Sequence, residues 1–307
     1  MSIDNLDSTT PKQWQSRGQI KTLLGRSIFV VDEGAKTLPT IVLLHGFPTA
    51  SWDWVPIWTS LSRNYRLIAL DMLGFGLSEK PNHRNYTIHQ QADIVEALIK
   101  DKQLKKFHVL AHDYGDTVAQ ELLARQVEGC GEGAWLSCCF LNGGLFPETH
   151  RALLTQKLLL SPLGKFLNSL TGFSKFSRNF SSVFGPQSKP TEQELLHFWW
   201  LINFNNGKHI FHNLITYMRD RLEHRERWVN ALQKSTAPLG LINGSVDPVS
   251  GAHMVARYKE LECRLDYLAE LPLIGHYPQV EAPAEVIKHY QEYLESLLTS
   301  NAVASHD

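Results

Sequence analysis

Apolar residues in the first half of the chain form short β-branched runs, and longer amphipathic stretches separate these runs. One run, Ile41–Leu44, is apolar at every position, which is typical of a strand covered on both faces of a sheet. Short strands that alternate with helical stretches predict a mostly parallel sheet with helices on both of its faces. The predicted strands are Ser27–Asp32, Thr40–His45, Arg66–Leu70, His108–Ala111 and Ser137–Leu141, and the predicted helices are Trp52–Ser62, Ile88–Lys100 and Asp116–Gln126.

The pattern changes near Phe146. From about Pro147 to Trp228 the strand pattern disappears, and helix-like segments rich in Phe and Trp replace it. Strands resume at Leu239–Asn243 and Arg264–Leu268, and Ala284–Leu298 is predicted as a final helix. We therefore predict an α/β core of residues 1–146 and 229–307, interrupted by a helical cap of residues 147–228. A second, independent domain is the alternative interpretation of the middle segment.

The net charge and the histidine spacing exclude several classes of function. The formal net charge is -1 at pH 7, so the chain has no overall electrostatic attraction to nucleic acid or to anionic membranes. Its 14 histidines are scattered, and none has the spacing of a metal site. We expect no metal, no other cofactor and no nucleic-acid partner.

The cysteines and the apolar runs bear on the compartment. No apolar run is long enough to span a bilayer, and the polar N-terminal segment lacks the apolar centre of a signal peptide. Cys138 and Cys139 lie within a predicted buried strand, where thiols usually behave as small apolar residues. A disulfide framework is therefore not expected. We predict a cytoplasmic protein that is a monomer or a homodimer.

The segment around Asp113 is the most informative part of the chain. A predicted strand runs into Ala111–Gly115, which has a small residue at each end, and a predicted helix follows. This is the context of a nucleophile elbow, in which small flanking residues allow a strained turn to expose the central side chain. The central residue is Asp113 instead of serine. Taken alone, an Asp before a helix would be interpreted as an N-cap.

Three further segments complete a catalytic pattern. His45–Pro48 directly follows a predicted strand, and this loop would supply the backbone N–H of Phe47 to an oxyanion hole, with the N–H of Tyr114 as the second donor. Asp247 follows a later strand, and His276 lies between the last strand and the last helix. Each would be interpreted as an ordinary turn residue on its own. In the order nucleophile, acid and histidine, they predict a triad of Asp113, Asp247 and His276.

Several longer segments carry a family resemblance. They are HGFPTASWDW (45–54), DMLGFGLSEKP (71–81), AHDYGD (111–116), LNGGLFPETHR (141–151), VFGP (183–186), DPV (247–249) and HYPQVEAP (276–283). On these segments the chain resembles the epoxide hydrolase and haloalkane dehalogenase branch of the α/β-hydrolase superfamily, and within it the mesoderm-specific transcript protein group. The resemblance implies an α/β-hydrolase fold and a hydrolase that forms a covalent alkyl ester on Asp113.

Two residues of this sequence differ from those usual in the epoxide hydrolase and haloalkane dehalogenase branch, and both affect whether halide could be the leaving group. The residue after the nucleophile is usually Trp but is Tyr114 here, and Phe47 offers no side-chain donor where dehalogenases commonly hold halide. Trp199 or Trp200 could replace these donors in a substrate pocket, but no donor pair is evident, so dehalogenation is disfavoured. Asn142, near where some dehalogenases carry their acid, cannot ionise, which favours Asp247 in that role.

An epoxide hydrolase needs an acid for the departing oxygen, and the resemblance implies two cap tyrosines. Tyr217 lies where the second is expected, but no tyrosine occurs between Tyr114 and Tyr217. His150 is a speculative replacement for the first and a candidate pocket residue. Tyr217 could instead be a packed aromatic residue on an amphipathic helix.

The predicted function is hydrolysis of an epoxide to a diol, with a small hydrophobic molecule as substrate. The aromatic residues of the cap favour an apolar substrate, although most of them would serve to seal the cap against the core. The candidate pocket residues are Phe47 of the core and Trp199, Trp200 and His150 of the cap. The alternatives are a haloalkane dehalogenase, another hydrolase of the same branch, and a low-turnover binding or regulatory protein. Asp116, where relatives often have glycine, is left with two interpretations: it stabilises the N-terminus of the helix electrostatically, or its negative charge alters the pKa of Asp113.

Overall fold

The structure is a computed structural model that describes residues 9–82, 86–149 and 172–304. These residues form an eight-stranded sheet with the strand order β1-β2-β4-β3-β5-β6-β7-β8. Strand β2 pairs antiparallel with β1 and β4, and the remaining neighbours pair in parallel. The strands are β1 Gln19–Leu23, β2 Arg26–Glu33, β3 Thr40–Leu44, β4 Arg66–Leu70, β5 Lys106–His112, β6 Ala134–Leu141, β7 Leu239–Gly244 and β8 Tyr267–Leu271.

Helices cover both faces of this sheet, and the predicted mostly parallel α/β architecture is confirmed. Short 3₁₀ helices occupy Ser51–Trp54 and Phe204–Ile210. The α-helices are α1 Pro11–Arg17, α2 Val55–Leu61, α3 Ile88–Asp101, α4 Tyr114–Val127, α5 Phe173–Ser181, α6 Glu192–Asn203, α7 Phe211–Leu214, α8 Tyr217–Glu223, α9 Arg225–Lys234, α10 Ala252–Glu260, α11 Pro278–Glu281 and α12 Pro283–Ala304.

The central strands explain the continuous apolar runs of the sequence. Val42 and Leu44 of β3 belong to the hydrophobic cluster on one face of the sheet, and Ile41 and Leu43 belong to the cluster on the other. Successive side chains of a strand point to opposite faces, so a strand buried on both sides must be apolar at every position. All five residues of β3 are buried.

Sequence analysis missed one strand and misplaced another. Strand β1 was not predicted, because most of its residues are exposed and its sequence shows no apolar run. The last strand was placed at Arg264–Leu268 but begins at Tyr267. Arg264 binds the carboxylate of Asp266 and also donates to the carbonyl of Ser235, so these polar residues form a loop before the strand.

Helices α5–α9, here called the inserted helices, lie in sequence between β6 and β7. They correspond to most of the predicted cap, and the cap boundaries at 147 and 228 stay predictions. Within the described ranges, no helix combines the length and apolar character needed to cross a membrane. The carboxyl ends of β3, β5, β6 and β7 lie at one edge of the sheet because these strands are parallel. All the candidate residues that follow these strands therefore meet at that edge.

Candidate active site

Asp113 stands on a strained turn between β5 and α4. Its backbone angles are φ 47° and ψ -103°, a conformation that L-residues rarely adopt. Its side chain makes no capping hydrogen bond to α4, so the N-cap interpretation does not account for it. A Cβ atom at Gly115 would lie 2.2 Å from the carbonyl oxygen of Leu44, so the turn can pass the end of β3 only with glycine there. Such strain typically costs about 1–3 kcal/mol and persists where surrounding contacts hold it.

The two carboxylate oxygens of Asp113 face different partners. Oδ2 accepts a hydrogen bond from the backbone N–H of Phe47 at 3.0 Å. Oδ1 lies 3.7 Å from Nε2 of His276 and 4.0 Å from Nη2 of Arg221. The side chain of Asp113 is only 5% exposed. The predicted position of Phe47 beside the nucleophile candidate therefore agrees with the geometry, while the direction of the Tyr114 N–H stays a prediction.

His276 connects Asp113 to Asp247. Its Nδ1 lies 2.7 Å from Oδ2 of Asp247, and Nε2 faces Asp113. A carboxylate can only accept, so Nδ1 carries the proton in this pair. Asp247 is held in turn by backbone N–H groups of Val249 and Ser250 and by the side chains of Ser250 and Asn142. The structure brings together all three residues that the sequence predicted as a triad.

Burial and neighbouring charges set the protonation of this group. Burial alone would raise the pKa of Asp113, but the contact with His276 and the charge of Arg221 hold it well below its ordinary value. Burial alone would lower the pKa of His276, but the Asp247 and Asp113 carboxylates raise it well above its ordinary value. In the resting protein the imidazole is therefore charged and lies between two carboxylates.

Two further groups fix the backbone around His276. His112 lies beside its carbonyl oxygen, with Nε2 at 2.7 Å, and burial together with the charge of His276 lowers the pKa of His112 to about 3. His112 is therefore neutral and donates Nε2–H to that carbonyl. On the other side, the Glu281 carboxylate accepts the N–H groups of Gly275 and Tyr277, the residues that flank His276.

Glu281 also connects the His276 loop to the described residues 172–234, which contain the inserted helices and are here called the inserted segment. It accepts the N–H of Gly185 at 2.7 Å and the hydroxyl of Ser188, while the N–H of His276 donates to the carbonyl of Val183 at 2.9 Å. Sequence analysis missed Glu281. The only available signal was an acid five positions after the candidate histidine, and its long-range partners are not visible in the sequence.

Arg221 is the second residue that sequence analysis missed. It lies on α8, its side chain is 2% exposed, and its Nε donates to Oγ1 of Thr117 at 2.8 Å. Its guanidinium also lies 4.6 Å from the centroid of the Tyr217 ring. The signal in the sequence was the spacing of four residues between Tyr217 and Arg221, which places both on one face of a helix.

Tyr217 is fully buried and reaches the site from α8. Its ring lies 4.8 Å from the ring of Tyr114 and 6.2 Å from the ring of Phe47. Burial raises the pKa of the Tyr217 hydroxyl, Arg221 opposes this rise, and Asp113 adds to it. The packing agrees with a core aromatic residue, and the proximity to Asp113 agrees with an acid. Its role as the acid stays a prediction.

The other pocket candidates lie farther along the inserted helices. Trp199 packs against Phe176, with ring centroids 5.1 Å apart, and Trp200 packs against Phe204 at 5.4 Å. These contacts agree with the expected sealing role of the cap aromatics. His150 lies outside the described residues. The assignment of Trp199, Trp200 and His150 to a substrate pocket stays a prediction.

Asp116 lies one turn beyond Asp113 and is completely buried, and among the described residues only the backbone of Leu141 offers its carboxylate a weak polar contact, outside the geometry of an ordinary hydrogen bond. A Cβ atom at Gly143 would lie 2.0 Å from its Oδ2, so the carboxylate packs directly against the glycine backbone after β6. Burial and the nearby charge of Asp113 raise the pKa of Asp116 well above its ordinary value. Asp116 is therefore a neutral acid beside a charged one.

Comparison with known proteins defines the class. Residues 39–132 match the family model described as alpha/beta hydrolase fold. Among solved structures, the chain superposes on a loop variant of the haloalkane dehalogenase DbeA from Bradyrhizobium elkanii with a TM-score of 0.77. That superposition covers 94% of this chain and 99% of the other at 19% identity, so it supports the fold alone.

Curated relatives are more similar in sequence. The mesoderm-specific transcript homolog protein of Homo sapiens is 43% identical over 295 residues, which cover 92% of this chain and 87% of that protein. LipZ of Mycobacterium tuberculosis is 35% identical over 294 residues, covering 95% of this chain and 99% of that protein. The chain belongs to the α/β-hydrolase family, together with the mesoderm-specific transcript proteins. The predicted resemblance is confirmed.

Proposed function

We propose that this chain hydrolyses an epoxide to a diol through a covalent ester on Asp113. The observation that carries the proposal is the arrangement of the Asp113 carboxylate on a strained elbow. One oxygen accepts the Phe47 N–H, and the other lies 3.7 Å from the His276 imidazole. His276 is in turn bonded to Asp247 at 2.7 Å, which supports the proposed Asp-His-Asp triad.

A carboxylate nucleophile restricts the chemistry. Attack on an ester carbonyl would give an anhydride, which is a reactive and unfavourable intermediate. Displacement at a saturated carbon gives an ordinary ester that water can open afterwards. An epoxide or an alkyl halide supplies a saturated carbon with a leaving group. An ester, the usual substrate of a serine hydrolase, is attacked at its carbonyl carbon instead.

In the first step, Oδ1 of Asp113 attacks an epoxide carbon and the ring carbon–oxygen bond breaks. Tyr217 donates its hydroxyl proton to the departing oxygen. The buried ring of Tyr217, which packs against Tyr114 and Phe47 close to Asp113, supports this role. The apolar and aromatic surroundings favour a small hydrophobic substrate.

In the second step, His276 takes a proton from water, which attacks the carboxyl carbon of Asp113. The resting imidazole is charged, because the Asp113 and Asp247 carboxylates raise its pKa. Ester formation neutralises Asp113 and removes one of these two charges. The pKa of His276 then falls, its proton passes to the Tyr217 phenolate left by the first step, and the neutral imidazole is available as the base that the second step needs. Attack of water places a negative charge on the Asp113 oxygen next to the Phe47 N–H. Removal of one such donor typically slows a reaction by a factor of about 10²–10³.

Dehalogenation is the second candidate, because the same ester would follow displacement of a halide. The site offers it less support. Phe47 has no side-chain donor, and the rings of Trp199 and Trp200 pack against other aromatic residues of the inserted segment.

The test is intact-protein mass spectrometry of His276→Gln after exposure to a panel of aryl epoxides and bromoalkanes. We expect a stable adduct that maps to Asp113 and carries the full mass of an epoxide. The double variant with Asp113→Ala should form no adduct. His108→Gln is a matched control, since His108 lies on β5 beside Ser137 at 2.8 Å and should keep normal turnover.

Each other outcome has a definite meaning. An adduct with the mass of an alkyl group alone, accompanied by bromide release, would show a dehalogenase. Normal turnover by His276→Gln would exclude the mechanism. An absence of adducts across the whole panel would favour a binding or regulatory protein over the hydrolase.

A further inference from the structure

A buried cation from the inserted helices lies against the proposed nucleophile. Nη2 of Arg221 is 4.0 Å from Oδ1 of Asp113, and its Nε donates to Thr117 in the first turn of α4. The positive end of the α4 dipole disfavours a cation at this place, and burial disfavours it further. The carboxylate of Asp113, which directly precedes α4, lies against Arg221 and offsets this cost.

The same guanidinium also contacts the proposed acid. It lies 4.6 Å from the centroid of the Tyr217 ring, one helical turn earlier on α8. Arg221 therefore touches both groups whose charge changes in ring opening. Asp113 loses its negative charge when it becomes an ester, and Tyr217 gains one when it gives up its proton.

We propose that Arg221 is a catalytic residue that holds the negative charge as it leaves Asp113 and arrives on the oxygen of Tyr217. The inference rests on the epoxide mechanism proposed above. The bond from Oδ1 to carbon forms, the ring carbon–oxygen bond breaks, and the ring oxygen takes the Tyr217 proton. His276 gives its proton to the Tyr217 phenolate and regains one from the water that hydrolyses the ester, so each turnover consumes one water molecule and no other reactant.

This role also accounts for the missing tyrosine. The sequence has no tyrosine between Tyr114 and Tyr217, so the first of the two cap tyrosines that the resemblance implies is missing. A cation near the Tyr217 ring gives equivalent stabilisation, because its attraction to the ring increases when the phenol becomes a phenolate.

The experiment measures the rate of ester formation in the His276→Gln background, where hydrolysis does not follow. We expect Arg221→Gln to slow ester formation from propylene oxide about 10²-fold. Arg221→Lys should recover most of this lost rate. Thermal unfolding of each variant shows whether it is folded. Trifluoropropylene oxide has a similar size but releases a less basic alkoxide. Arg221→Gln should therefore slow ester formation from trifluoropropylene oxide less than from propylene oxide.

A double-mutant cycle with Tyr217→Phe gives the decisive comparison. If both residues stabilise the same charge, Arg221→Gln should have little further effect once Tyr217→Phe is present. Additive losses, equal losses for both epoxides, or a rate that recovers at high pH would overturn the inference and leave Arg221 with the sole task of keeping Asp113 ionised. If His276→Gln itself forms no adduct with any epoxide, the proposed function fails, and the inference fails with it.

Discussion

Asn142 donates its side-chain amide to Oδ2 of Asp247 at 3.0 Å, and this is the oxygen that lies 2.7 Å from Nδ1 of His276. Asn142 follows β6, whereas Asp247 follows β7, the neighbouring strand. The Asn142 amide also bonds both backbone groups of Gly244, so it fixes the ends of the two strands to each other. An acid at the end of either strand would therefore lie close to the same imidazole.

This geometry predicts that the acid can be moved. Asp247→Asn should slow hydrolysis of the Asp113 ester by about 10³–10⁴, because the imidazole loses the carboxylate that orients it. Asn142→Asp in that background should restore part of the rate by placing a carboxylate beside the original position. Single-turnover measurement of ester decay reports the rate directly.

A matched control uses a second buried amide of the same strand. Asn243 lies on β7 and donates to the carbonyl of Ser250. Asn243→Asp should not rescue Asp247→Asn. Equal rates for the Asn142→Asp and Asn243→Asp double variants would argue against acid relocation.

The second prediction concerns the stability cost of Asp116. Its pKa in the folded state is raised, so the folded protein holds a proton that the unfolded chain releases above about pH 4. Stability should therefore fall as the pH rises above this value. The side chain introduced by Asp116→Asn cannot ionise. The free energy of unfolding of this variant should therefore rise relative to the parent by about 1.4 kcal/mol for each pH unit between the pKa of Asp116 in the unfolded chain and its pKa in the folded protein. Urea unfolding at several pH values measures this difference.

Asp71 is the control for this comparison. It is as buried as Asp116, but it accepts backbone N–H groups from Ser51 and Leu77, both at 2.7 Å. Asp71→Asn should destabilise the protein by about 1–3 kcal/mol, because an amide leaves one of these donors without a partner. If Asp116→Asn destabilised the protein similarly at neutral pH, the neutral state assigned to Asp116 would be wrong.

The third prediction follows from the charge between His276 and Asp113. The pKa of His276 is raised, so the imidazole is protonated at neutral pH and loses its proton only as the pH rises above that value. Asp113→Asn mimics the neutral ester and should lower this pKa by at least about one unit. Proton–nitrogen correlation spectra of the imidazole nitrogens follow the titration, and an intact mass confirms that the amide persists.

His108 serves as the internal reference in the same spectra. Burial lowers its pKa to about 4, and it lies on the strand rather than at the site, so the substitution should leave it unchanged. An unchanged pKa for His276 would mean that Asp247 alone sets its charge. The proposed activation of the base by ester formation would then be incorrect.

The sequence predicted the part of the site that follows strand order. Asp113, Asp247 and His276 were found because each comes shortly after an apolar run, and parallel strands bring such positions to one edge. Arg221 and Glu281 were missed because each lies in a helix and neither comes shortly after an apolar strand. Arg221 approaches Asp113 across 108 positions, and Glu281 bonds Gly185 across 96 positions. No periodic pattern encodes such contacts.

The strands show the same limit. Strand β3 was predicted almost to the residue because both of its faces are buried, whereas β1 was missed because it is mostly exposed. Composition could not place β8 either, since the ion pair of Arg264 and Asp266 decides where that strand begins. Exposed edges and side-chain pairs give weak signals in a single sequence.

The hydrogen bonds between the inserted segment and the His276 loop restrict how hydrolases of this fold can be engineered. Val183 and Gly185 come from the inserted segment, yet they bond the backbone of His276 and the carboxylate of Glu281. A chimaera that exchanged the whole segment for that of a relative would also exchange the support of the base. An exchange of substrate specificity should therefore keep Val183 and Gly185 of the host and replace helix α8, which carries Tyr217, separately, so that the host keeps its own support of His276.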